Sequence, residues 1–183
     1  MAVKLLENRA LALTLAVLTV LGSTVWNVNS HLREYTDEID AAWTEKYGAK
    51  TQLQDRCSYA SQLWSLCQSH EELSGESKAL RDAYNGLYES MEDGDLTRVD
   101  SYNTDLDLLA GEAKNALCAL PDLSDEDKEF AERYVNYMEN AGRMLRDSRY
   151  NELCAEYDTL CGSPWLRMLR PVISVDTPCP IGE

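Results

Sequence analysis

SDEDKEFAERYVNYMENAGRMLRDSRYNELCAEYDTLC, residues 124–161, is the stretch on which the fold reading turns. Phe130, Tyr134, Tyr137, Met138, Ala141, Leu145, Leu153, Tyr157 and Leu160 fall mostly at three- and four-residue steps, the period of an amphipathic helix. Ser124 with Asp127 three residues later makes a capping-box start, and the acidic residues that follow suit a helix N-terminus. Cys161-Gly162-Ser163-Pro164 breaks the pattern. No proline interrupts it, so one long helix is expected here.

Working outward, the same period governs the rest of the chain. Leu32, Tyr35, Ile39, Ala42, Ala49, Leu53, Ala60, Leu63 and Cys67 predict a long first helix, with Gly48 its one weak interior point and Ser74-Gly75 its end. Leu80, Tyr84, Leu87 and Met91 predict a short second helix that stops at Asp93-Gly94-Asp95. Val99, Tyr102, Leu106, Leu109, Ala113, Leu117 and Leu120 predict a third, stopped by Pro121. Strand alternation is absent. The expected fold is all-α: an up-down four-helix bundle of two long and two short helices. Four of the five prolines lie in the last twenty residues, which read as an extended tail.

A transmembrane helix precedes the bundle in this reading. Ala10 to Trp26, ALALTLAVLTVLGSTVW, is free of charge and spans ~26 Å at ~1.5 Å per residue, close to a bilayer core. Trp26 stands where an interfacial aromatic would sit, and Lys4 and Arg9 precede the run. The positive-inside bias puts the N-terminus in the cytoplasm and the body outside. The alternative is a cleaved signal peptide, against which stand the length of the run and the lack of an A-x-A arrangement around Gly22, Ser23 and Thr24. The expected divisions are a short segment 1–9, a membrane helix 10–26, a helical bundle 27–161 and a tail 162–183.

Charge narrows the partners. The 183 residues carry 17 Lys and Arg against 32 Asp and Glu, a net of −15. So acidic a body repels a phosphate backbone, which excludes nucleic-acid binding, and it disfavours lying flat on anionic lipid. The expected partners are membrane lipid, through residues 10–26, and a membrane or envelope protein or a second copy of the chain.

Six cysteines in an exported chain suggest disulfides. Cys57 and Cys67 are too far apart along one helix to pair, as are Cys154 and Cys161, and Cys57 and Cys154 differ in height. Level positions suggest Cys67 with Cys118, and Cys161 with Cys179 tying back the tail. The alternative is six small buried hydrophobes in a reduced compartment. No CxxC occurs, and with two histidines a zinc site is not expected. The same height arithmetic sets Arg56 level with Glu139 beside the apolar seam. An ion pair between them is expected, the alternative being two solvated charges.

Several of these residues also carry a family resemblance. Asn27 after a membrane segment, Asp40-Ala41-Ala42-Trp43 and Arg56, then Pro121-Asp122-Leu123, Glu139, Ser148-Arg149-Tyr150-Asn151, Tyr157 and Pro164, form an ordered set that resembles the LemA family across nearly the whole chain. The chain departs from the family pattern at Trp26-Asn27, Arg56-Cys57-Ser58 and Tyr157-Asp158, and in its six cysteines. The resemblance implies a bacterial, membrane-anchored helical bundle without established enzymatic activity, acting in envelope-associated assemblies.

Catalytic constellations are not found. His31 and His70 are too distant to share a site on a straight helix, no G-x-S-x-G elbow or phosphate-cradling glycine loop occurs, and no Glu-x-x-His marks a di-metal site. Glu92-Asp93-Gly94-Asp95 lacks the remaining ligands of a calcium loop. No enzyme, cofactor or metal is expected. The reading is a single-pass plasma-membrane interaction or scaffold module, docking a partner where the long helices are uncovered, through Trp43, Tyr150, Asn151 and Tyr157. The alternatives are an envelope hydrolase with an unrecognised site and a sensor acting through a partner.

Overall fold

Ser124 does cap a helix: its Oγ accepts from Asp127 N at 3.0 Å. The helix it starts is α5 in a computed structural model that describes residues 9–173 and 178–182. The described residues hold helices and no strand: α1 (Arg9–Thr44), α2 (Ala49–Gln68), a 3-10 turn (Glu71–Leu73), α3 (Ser74–Asp93), α4 (Leu96–Cys118), α5 (Asp125–Arg146), α6 (Arg149–Cys161) and α7 (Pro164–Leu169). Lys4 and the rest of the segment before Arg9, and part of the tail, lie outside the described residues.

Both long helices expected from the sequence are broken. The first stops at Thr44 and resumes at Ala49. Tyr47 adopts φ 151°, a conformation that costs a non-glycine residue about 1–3 kcal/mol. Gly48 follows, where an added Cβ would strike the Ala42 carbonyl oxygen. The last expected helix breaks at Asp147-Ser148. Ser74-Gly75, expected to end the first helix, instead opens α3. The expected contrast of long and short helices is thereby lost: α2, α3, α4 and α5 have 20, 20, 23 and 22 residues. The surplus length belongs to α1 and α6. The tail is not extended throughout, since Ser163 accepts from Leu166 N and starts α7 with Pro164 in its first turn.

The chain divides into two compact units. One comprises Ile39–Ala155 with the described part of Cys179–Glu183. There α2 packs on α3, α4 and α5, α3 packs on α4, and α4 on α5. Leu53, Ala60, Leu63 and Cys67 of α2 meet a core that includes Leu80, Leu87, Leu106, Leu117, Met138 and Leu145, all essentially inaccessible. Each fully buried Leu contributes about 1.5–3 kcal/mol over exposure, which is why the apolar seam decides the packing. Tyr59 of α2 and Tyr137 of α5 stand 5.0 Å apart between ring centroids, and Trp64 and Tyr84 tie α2 to α3 at 6.2 Å.

The other unit takes the described residues of Met1–Glu38 and Glu156–Pro178. Its α1 portion is long and apolar enough to span a membrane, with mean hydropathy 1.8 over its most apolar window and no buried residue in that window. Leu32 is buried in this unit. The Tyr35 and Tyr157 rings lie 6.3 Å apart, and Tyr35 OH donates to Glu156 Oε2 at 3.2 Å.

Candidate functional site

Arg56 lies on the inner face of α2, in step with Leu53, Ala60 and Leu63, and only 1% of it is exposed. The α-helical period brings a cation into the seam, and burial of an unpaired charge is expensive. Its partner is Asp107 of α4, not the expected Glu139: Nη2 meets Asp107 Oδ1 at 2.5 Å and donates to Asn103 O at 3.3 Å. The expectation weighed only the first and last helices and left out α4, which brings a carboxylate closer. Glu139 lines the same cleft. Arg56 Nε is buried without a hydrogen-bond partner among the described residues. Asn103 Oδ1 beside it is likewise unsatisfied.

The cleft has a volume of about 400 Å³ between α2, α4 and α5. Ala110, Val135 and Met138 give it an apolar wall. Lys114, Arg143 and Arg146 join Arg56 as cations at its rim and floor, against two carboxylates, Asp107 and Glu139. Gly142 makes the site possible. An added Cβ there would run into Arg56 Nη1, and Arg146 Nη1 comes to 3.9 Å from the same point. Two guanidinium groups therefore converge over one glycine. Arg143 and Arg146 also sit in the last turn of α5, where positive charge complements the helix dipole. Lys114, in the interior of α4, has no such explanation.

A second polar cluster forms where α5 gives way to α6. The break exposes carbonyls at the end of α5, and the Asn151 side chain takes them: Nδ2 donates to Leu145 O at 3.1 Å. Nδ2 also donates to Ile181 O at 2.8 Å, while Oδ1 accepts from Ile181 N at 3.0 Å. Tyr150 OH donates to Cys179 O at 2.9 Å, and Gly182 N donates to Asp100 Oδ1 at 2.8 Å. Ile181 is completely buried. The end of the chain is thus clamped into the helical body. Burial pushes the Tyr150 hydroxyl pKa far up, helped by the nearby Cys154 thiol.

These contacts correct the expected docking surface. Tyr150, Asn151 and Tyr157 are 1%, 6% and 1% exposed, so they are packing residues. Trp43 is half-buried, its ring 5.3 Å from Tyr150. Polar and aromatic residues beyond a membrane segment look like surface features in sequence. Here the tail residues Cys179 and Ile181 cover Tyr150 and Asn151, while the Tyr157 ring packs on Tyr35.

Neither expected disulfide, Cys67–Cys118 or Cys161–Cys179, is formed, and all six cysteines are thiols. Cys57 and Cys67 are buried in the seam of α2. Desolvation pushes the Cys57 thiol up to about 12, with Arg56 pulling weakly the other way. It pushes Cys67 up to about 11, aided by Glu76. Burial also raises Cys161. Such thiols are poor nucleophiles. His31 is exposed and meets Glu34 at 3.2 Å. Among the described residues, no cluster of three or more metal-ligating side chains occurs.

Asp107, Lys114, Gly142 and Arg146 were not found by sequence reasoning. The one local signal is a glycine on the seam followed by basic residues, AGRMLR, at the end of an otherwise acidic helix. No protein-family model, curated protein or solved structure matches the chain.

Proposed function

We propose that the chain is a single-pass membrane protein whose helical body, read as an up-down four-helix bundle, serves as a non-enzymatic interaction or scaffold module of the bacterial cell envelope. One observation carries the membrane reading: the apolar half of α1 covers nothing. Leu13, Leu18 and Val20 are 66%, 59% and 63% exposed, and Trp26 at the end of the run 76%. A contiguous apolar face of this size marks an interaction site, and a length near the bilayer core favours lipid as its occupant.

Within the same unit, α1 and α7 line one groove. An apolar groove between Val28, Leu32 and Tyr35 of α1 and Leu160, Trp165 and Leu166 sits just past Trp26 in the helix. Trp165, Met168 and Val172 are exposed beside Arg167 and Arg170. An aromatic and basic collar at that level suits the headgroup zone of a bilayer. The ordered resemblance to LemA proteins supports the bacterial envelope address.

Alkaline carbonate extraction of cells making the full chain tests the anchor. The protein stays with the membrane pellet, and removal of residues 1–26 releases it. A mature N-terminus found beyond Thr24 by mass spectrometry overturns the reading. An impermeant maleimide added to intact cells reads sidedness through Cys118 and Cys179, both partly exposed. Labelling is expected before lysis. Crosslinking in native membranes is expected to capture a protein partner or a second copy.

A further inference from the structure

We propose that the Arg56 cleft binds a phosphate monoester. Four cations face two carboxylates there, in a protein whose net charge is −15. Elsewhere in such a chain acids outnumber bases, so a local excess of two positive charges requires a cause. Dipole complementation accounts for Arg143 and Arg146 alone. It leaves Lys114 and the buried Arg56 unexplained.

Two further observations point to a bound anion. Arg56 is 1% exposed, and its Nη2 engages Asp107 Oδ1 and Asn103 O. Its Nε has no partner among the described residues. Arg146 brings a second guanidinium to the same glycine, and no ion pair offsets it among the described residues. Converging guanidinium groups repel each other, and a dianion between them converts that repulsion into charge-assisted hydrogen bonds.

The donors arrive from three helices: Arg56 from α2, Lys114 from α4, and Arg143 and Arg146 from α5. A tetrahedral group with three terminal oxygens meets donors spread in this way better than a planar carboxylate, and its charge of nearly −2 matches the local excess. The volume of about 400 Å³ exceeds that of phosphate alone. The wall of Ala110, Val135 and Met138 faces the space left over, which suits the uncharged body of an ester. Gly111 on the same wall has no atom within 4 Å of an added Cβ.

Calorimetric titration of the full chain in lipid nanodiscs tests this, with inorganic phosphate, methyl phosphate and succinate as probes at matched ionic strength. Saturable binding of both phosphate probes is expected, with succinate much weaker. Lys114→Gln and Arg146→Gln remove charges from a half-buried and an exposed side chain, and circular dichroism of each variant verifies its helix content. Each is expected to weaken phosphate binding at least about fivefold, the loss of one charge-assisted contact. Gly111→Leu fills the cleft without changing a charge and is expected to abolish binding while helix content is kept. Absence of saturable phosphate binding overturns the proposal. So does binding that is indifferent to all three variants, or succinate bound as tightly as phosphate.

Discussion

Arg56 and Asn151 are both buried polar residues of the same unit, and the protein treats them in opposite ways. The Asn151 amide is saturated: its nitrogen donates to Leu145 O and Ile181 O, and its oxygen accepts from Ile181 N. Arg56 is deeper, yet part of its guanidinium has no protein partner, and it lines an open cleft. A fully satisfied polar group holds a structure together. A partly satisfied one beside open volume is available to a ligand. The two regions therefore divide the labour between structural clamp and candidate site.

Asn151→Ala attacks the clamp and has the largest expected effect. It takes the side-chain partner from Ile181 N and O and a donor from Leu145 O, which keeps Ser148 N, and equilibrium urea unfolding should show a loss of about 3 kcal/mol. The tail end at Ile181 should also become sensitive to carboxypeptidase. Gly142→Ala comes next, at about 2 kcal/mol. Its Cβ displaces Arg56 Nη1, and that guanidinium is pinned by Asp107 and Asn103 and cannot swing away freely. Phosphate binding should fall in parallel.

A pH titration probes the seam of α2 beside Arg56, where the Cys57 thiol meets Tyr84 O of α3. The Cys57 pKa is raised in the folded state to about 12, so the folded protein holds this proton more tightly than the unfolded chain. Its contribution is complete below pH 9 and is lost as pH rises from 9 towards 12, by up to about 1.4 kcal/mol per pH unit. Cys57→Ala should flatten that alkaline limb of the stability profile. Arg56→Met has the smallest expected effect on stability, about 1 kcal/mol, because Asp107 is half exposed and water takes over its solvation. If Arg56→Met destabilises more than Asn151→Ala, the contrast between site and clamp fails.

Much of this was legible in the chain. The three- and four-residue steps located every long helical stretch, and Ser124, Pro121 and the Asp93-Gly94-Asp95 turn marked ends that the structure keeps. Gly48 was visible as a weak point, but not the full break, since a glycine inside a helical pattern is compatible with either outcome. Asp147-Ser148 carries no comparable signal. Its break holds because the Asn151 amide donates to the Leu145 carbonyl it leaves, and that amide is itself held by Ile181, 30 residues further along. The site was half legible. Arg56 and Glu139 were singled out, and both line the cleft, but Asp107 was overlooked because the height arithmetic compared only the first and last helices.

By itself the sequence determined what depends on neighbours within a turn or two: helical class, the apolar run of α1, the acidic balance and the capped start of α5. Tertiary structure alone decided which carboxylate meets Arg56, 51 residues away, and where the end of the chain docks. It also decided that Tyr150, Asn151 and Tyr157 face inward. The reason is physical. Helical periodicity is written locally in backbone hydrogen bonds, whereas a buried polar group takes whichever partner the packing of distant helices brings within about 3 Å.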